Sequence, residues 1–123
     1  MGGPERRTLA TAPHPDDVVQ GLRAIEHGFI PPILDLSKLD GRVLIELEEG
    51  LYWTRWLLDQ AGIFAGESSG AVAATARKLA QKMERGNIVC LFADSGWKYM
   101  GSGIYTRDFK DIKESEIKGK IWW

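Results

Sequence analysis

Apolar residues recur at helical spacing in two stretches of this chain and run unbroken in others, and their alternation sets the expected fold. Arg42-Val43-Leu44-Ile45-Glu46-Leu47 is a short β-branched run opened by the turn Asp40-Gly41, which predicts a strand. Glu48 to Gln60 carries acids in its first turn, favourable at the positive end of a helix, and Trp53, Trp56 and Leu57 at helical spacing. Gly62 ends that helix. Ile63-Phe64-Ala65 reads as a second short strand and Gly66-Glu67-Ser68-Ser69-Gly70 as a turn. Val72, Ala76, Leu79, Ala80 and Met83 then share one face, so Ala71 to Arg85 is expected to be helical. Gly86-Asn87 closes it. Ile88-Val89-Cys90-Leu91-Phe92-Ala93 is a continuous apolar strand, of the kind found in sheets covered on both faces.

Strand, helix, strand, helix, strand is the rhythm of parallel α/β units. The expected class is therefore α/β, with a thin parallel sheet and two helices as its minimal cover. The flanks are less regular. Residues 1–13 are polar, contain Pro4 and Pro13, and show no period; they are expected to be an irregular lead-in. Asp16 to His27 allows a short helix through Val19, Leu22 and Ile25, weakened by Gly21 and stopped by Gly28-Phe29-Ile30-Pro31-Pro32. Residues 14–106 then make the α/β body, and 107–123 a charged tail ending Ile121-Trp122-Trp123. An aromatic pair is costly to leave in water, at roughly 2–3 kcal/mol per ring. It is expected to dock on the body or on a partner chain.

Charge narrows the classes further. The 123 residues carry 16 Lys+Arg against 17 Asp+Glu, a formal charge of −1, with no basic block, which argues against a nucleic-acid surface. No apolar run approaches the ~18 residues of a membrane span, and Met1-Gly2-Gly3-Pro4-Glu5-Arg6-Arg7 lacks the apolar run of a signal peptide. The single cysteine, Cys90, leaves no internal disulfide and fits a reducing, cytoplasmic compartment.

Two polar turns are candidate sites. Gly66-Glu67-Ser68-Ser69-Gly70 lies between a strand and a helix, where the ends of parallel strands bind ligands. Its serines could hold an anion or a heteroaromatic nitrogen, or one of them could simply cap the helix. Asp94-Ser95-Gly96 follows the strand 88–93 and is either a second wall of that site or a plain turn. Ala12-Pro13-His14-Pro15-Asp16-Asp17 resembles the metal-binding motif of zinc-dependent N-acetylglucosamine deacetylases over those six residues. Zinc needs three or four ligands, the only other histidine is His27, and no metal site is expected. Cys90, among apolar neighbours, reads as a buried structural thiol, and no Ser/His/Asp set can be assembled.

Three motifs in order resemble the C-terminal part of cysteine synthases, pyridoxal-phosphate enzymes of the tryptophan-synthase β fold (fold type II, a three-layer parallel α/β architecture). They are Val19-Gln20-Gly21-Leu22 with Gly28-Phe29-Ile30-Pro31, then Gly62-Ile63-Phe64-Ala65-Gly66-Glu67-Ser68-Ser69-Gly70-Ala71-Val72, then Ile88 to Tyr99. Trp97-Lys98-Tyr99 and the tryptophan-ended tail are most similar to the cysteine synthase B and O-phosphoserine sulfhydrylase branch. The resemblance implies that Ser68 hydrogen-bonds the cofactor's pyridine nitrogen, that Asp94 stands beside it, and that the backbone of Gly21 lines the cleft. It implies small-molecule substrates, an activated serine (O-acetylserine or O-phosphoserine) and a sulfur donor. Glu67 departs from the small or aliphatic residue usual there, and Tyr99-Met100-Gly101-Ser102 from the usual Tyr-Leu-Ser-Thr. The family's cofactor-anchoring lysine, phosphate cup and substrate-carboxylate loop precede the matched region, so no catalytic residue is assigned in this chain. A missing N-terminal half or a homodimer partner is implied, and the chain alone is expected to be inactive.

Overall fold

The computed structural model describes residues 5–13, 22, 24–25 and 30–108. Two strands, β1 (Thr8–Thr11) and β2 (Gly41–Leu44), pair in parallel, with Thr8 opposite Gly41 and Thr11 opposite Leu44. Two helices follow, α1 (Leu47–Ala61) and α2 (Glu67–Ala80), and a 3-10 helix spans Gly96–Ser102. The result is the expected α/β arrangement with a parallel sheet, but its strands are not all the expected ones.

β1 lies inside the segment expected to be irregular. Thr-Leu-Ala-Thr is too short to show a period, and it becomes a strand because a partner far along the chain accepts its ladder. β2 ends at Leu44, although Ile45 still donates to the Thr11 carbonyl at 2.9 Å. The helix expected over Asp16–His27 is not seen at its described residues: Leu22, Ala24 and Ile25 are non-helical. Ala24 and Ile25 are buried, and Leu22 packs on the main core.

α1 falls within a residue of its expected ends. Gly62 stops it in the left-handed region, φ 67° and ψ 22°, which a side chain would strain. The strand expected at Ile63–Ala65 shrinks to one isolated bridge between Ala65 and Ser95, and that bridge is antiparallel. The Ile63 amide is drawn back to the Leu57 carbonyl at 2.8 Å, closing the helix rather than opening a ladder. α2 starts at Glu67, four residues ahead of the expected Ala71, so most of the supposed turn is its first turn. Gly66, extended at φ −74° and ψ 174°, is the N-cap. Residues 88–93 are assigned to no strand and pair with no described residue. The three-residue tail Ile121-Trp122-Trp123 lies outside the described residues, as do His14, Asp16 and Asp17.

The core sits between the helices and the sheet. Ile45, Ala71 and Ala74 form one buried cluster, joined by Ala10, Val43, Leu47 and Trp53; Leu51 and Ile104 form a second with Tyr99 and Tyr105. α1 and α2 touch through small residues. The Thr54 hydroxyl donates to the Gly50 carbonyl at 2.8 Å and lies 3.4 Å from the Glu67 carbonyl, while Gly70 packs directly on Gly50 and Thr54. Among the described residues no helix is long and apolar enough to cross a membrane.

Candidate functional site

The bridge between Ala65 and Ser95 brings the two polar turns together. The Gly66 amide donates to the Asp94 carbonyl at 3.1 Å, and the Gly96 amide donates to the Phe64 carbonyl at 3.2 Å. Asp94 therefore stands at the N-terminal end of α2, whose second residue is Ser68. The two polar turns meet through an antiparallel contact, not at the ends of parallel strands as expected. Gly21, the third expected residue, lies outside the described residues.

Capping does not account for the serines. Gly66 caps α2 without any side-chain bond, and Ser68 and Ser69 sit inside the first turn, Ser68 half-buried and Ser69 buried. The Ser69 hydroxyl has no hydrogen-bond partner among the described residues. Ser95, by contrast, does act as a turn residue: its hydroxyl accepts from the Trp97 amide at 3.3 Å and caps the 3-10 helix.

Asp94 is held on one side only. Its Oδ2 accepts from the Tyr99 hydroxyl at 2.9 Å and lies 3.8 Å from the exposed Lys98 ammonium, while its buried Oδ1 has no hydrogen-bond partner among the described residues. That oxygen occupies the space where a side chain on Gly66 would begin. A buried acceptor without a donor costs about 1–3 kcal/mol.

Sequence reasoning missed the tyrosines that frame this carboxylate. Tyr99 donates to Asp94, and Tyr105 donates to the Ala65 carbonyl at 2.6 Å while its ring meets Phe64 edge-on at 4.9 Å. Gly96 allows the approach, since a Cβ there would strike the Phe64 ring and lie 2.6 Å from the Tyr105 hydroxyl. The available signal was Tyr99 five residues after Asp94; nothing local pointed to Tyr105. Cys90 is only half-buried, because the segment carrying it is not covered; burial still pushes its thiol up.

Burial, with the negative charges of Asp94 and Glu67 adding to it, pushes Tyr105 up to about 12. Burial also raises Tyr99, followed by its hydrogen bond to Asp94. Both phenols hold their protons more tightly folded than unfolded. Their contribution to stability is complete below the unfolded tyrosine value of ~10 and is lost as pH rises through the folded value. The urea midpoint should therefore fall between pH 10 and 12, and Tyr105→Phe should flatten that fall. An unchanged slope in the variant, followed by urea titrations at several alkaline pH values, would show that Tyr105 is not the group responsible.

No family model matches the sequence. The cysteine synthase of Aquifex aeolicus is 38% identical over 97 residues, covering 76% of this chain and 30% of the relative. Cysteine synthase B of Pseudomonas aeruginosa is 29% identical over 102 residues, 83% of this chain and 34% of the relative. Among solved structures, cysteine synthase from Entamoeba histolytica aligns with 94% of this chain and 38% of its own, at a TM-score of 0.71 and 22% identity. An O-ureido-L-serine synthase aligns over the same share, 94%, with a TM-score of 0.70 and 23% identity. The chain thus spans about 30% of the length of the Aquifex relative. With its parallel α/β geometry, this likeness settles the family: the chain belongs to the pyridoxal-phosphate-dependent cysteine synthases of the tryptophan-synthase β fold, as a segment of that larger structure.

Proposed function

We propose that this chain is the C-terminal part of a cysteine synthase and supplies the floor of its cofactor cleft. The complete enzyme makes cysteine from O-acetylserine or O-phosphoserine and a sulfur donor, by β-replacement in the cytoplasm. Residues 14–106 are the cofactor part, and the chain alone does not turn over. The observation that carries this reading is the docking of Asp94 at the N-cap of α2, with a buried oxygen left for a further contact.

The residues present fit pyridoxal phosphate. Ser68 offers a neutral hydroxyl for the ring nitrogen and Asp94 an acceptor beside it; Gly21, whose backbone the resemblance assigns to the cleft, lies outside the described residues. When bound, the cofactor supplies the electron sink that makes β-replacement possible. The chain's own contribution is orientation and proton placement. A hydroxyl at Ser68 can donate one hydrogen bond without bringing a negative charge to the ring. Tyr99 fixes one oxygen of Asp94 by donating to it, and keeps its proton because its ionisation is pushed up. The first turn of α2 turns its positive end toward the same place.

The test pairs this chain with the portion of the Aquifex aeolicus cysteine synthase outside the matched residues. Cysteine formation from O-acetylserine and sulfide should require both pieces. Ser68→Ala and Asp94→Asn should each weaken cofactor binding by about tenfold, as expected for losing a hydrogen bond to a charged or polar partner. Unaltered cofactor affinity in both variants would end the reading. So would a visible absorption band on adding the cofactor to this chain alone, abolished by one lysine substitution. An assembly that binds cofactor without turnover would favour a non-catalytic partner role.

A further inference from the structure

Outside the candidate site, α1 and α2 enclose an open groove of about 640 Å3. Its aromatic wall comes from α1. Tyr52 meets Trp53 edge-on at 5.5 Å, and the Trp53 and Trp56 rings stand 5.1 Å apart at 50°. Tyr52 and Trp56, four residues apart, share one helix face, and they are 51% and 39% exposed. The basic wall comes from the last turn of α2. Lys78 is neutralised there, with its ammonium 2.8 Å from the Glu49 carboxylate and 3.4 Å from the Leu44 carbonyl. Arg77 is not. Its guanidinium lies 5.7 Å from the centre of the Trp53 ring and pairs with no carboxylate among the described residues.

We propose that this groove is a second binding site, for a planar aromatic carboxylate, with the ring against Tyr52 and Trp56 and the carboxylate on Arg77. The walls select that class. A guanidinium presents two parallel donors that match a carboxylate, and stacking on Trp53 holds the fork in place beforehand. The indole and phenol beside it offer faces and edges to a ring. A neutral aromatic molecule would leave Arg77 unanswered, and a small inorganic anion would leave the rings in water. Cations are repelled by Arg77, and Glu49 is already engaged by Lys78. The volume falls in the range of small-molecule sites, roughly 300–1,000 Å3. Arg77 lies nine residues beyond Ser68, about 14 Å along α2, so the groove is separate from the proposed cofactor floor and does not depend on it.

The test uses the full 123-residue chain, labelled with nitrogen-15, and naphthalene-2-carboxylate as the probe. The indole N–H signals of Trp53 and Trp56 should move on titration, while that of Trp97 stays as the reference. Naphthalene-2-carboxamide keeps the ring without the charge, and cyclohexanecarboxylate keeps the charge without the ring. Each should bind about tenfold more weakly. Arg77→Gln should weaken the carboxylate by about the same factor and leave the carboxamide unchanged, which a general loss of structure would not do. Trp56→Ala should weaken both aromatic probes. Both side chains are exposed, so the helical circular dichroism of the variants should match that of the parent. Equal affinities for naphthalene-2-carboxylate and its amide would overturn the proposal. So would movement of Trp97 in place of Trp53 and Trp56, or no movement at millimolar probe.

Discussion

Gly70→Ala is expected to destabilise the chain by about 2–3 kcal/mol, the upper range for overpacking a tight core. An added Cβ at this position would overlap the Thr54 hydroxyl and the Gly50 carbonyl and lie 2.6 Å from the Thr54 amide. Two of these are backbone atoms of α1, which cannot rotate away as a side chain can. The helices must therefore separate, which also loosens Ala71 and Ala74 against Ile45. Helix propensity works in the opposite direction, since alanine is favoured over glycine by ~1 kcal/mol inside a helix, but the collision is the larger effect. Gly41→Ala is the control: nothing lies within 4 Å of its Cβ position and its φ is not positive, so the change should be within about 0.5 kcal/mol. Urea unfolding followed by circular dichroism measures both. Equal midpoints for the two variants would mean that the α1–α2 contact is not as close as described.

That contact was invisible in the sequence, and the reason is general to this fold. α1 was readable because its apolar residues repeat within one element and Gly62 punctuates it; the observed helix, Leu47–Ala61, differs from expectation by a residue at each end. α2 was readable in its body but at neither end, since it starts four residues before the expected Ala71 and stops at Ala80, five before the expected Arg85. Gly-Glu-Ser-Ser-Gly looks like a turn by composition, and only Gly66 is outside the helix. The strands were harder because pairing is a relation between distant segments. Thr8–Thr11 has no pattern of its own and gains its identity from β2. Residues 88–93 have the strongest strand pattern in the chain and no partner among the described residues. The candidate site was legible as two polar turns at one sheet edge, not as turns meeting at the start of α2. Its antiparallel bridge and the two tyrosines around Asp94 depend on three-dimensional proximity that no local spacing encodes.

Gly66→Ala is expected to cost the assembled enzyme about a hundredfold in turnover, the scale associated with displacing a positioned group by an ångström. The backbone of Gly66 is extended and open to any residue, so alanine brings no conformational strain. Its effect is confined to space. The new methyl would overlap the Asp94 carboxylate and lie 2.6 Å from the Tyr99 ring. Asp94 would have to rotate away from Tyr99, giving up the 2.9 Å hydrogen bond that fixes it, or the segment around it would have to move off α2. Either way the carboxylate leaves the floor while Ser68 and the helix remain. A loss of one net hydrogen bond is worth only about 1 kcal/mol of folding stability, so the variant should stay folded. Tyr99→Phe separates the two consequences: it removes the hydrogen bond without adding volume, and should reduce turnover less than Gly66→Ala does. If Gly66→Ala retains full turnover and cofactor affinity, Asp94 is not part of the floor, and its buried oxygen has a purely structural role.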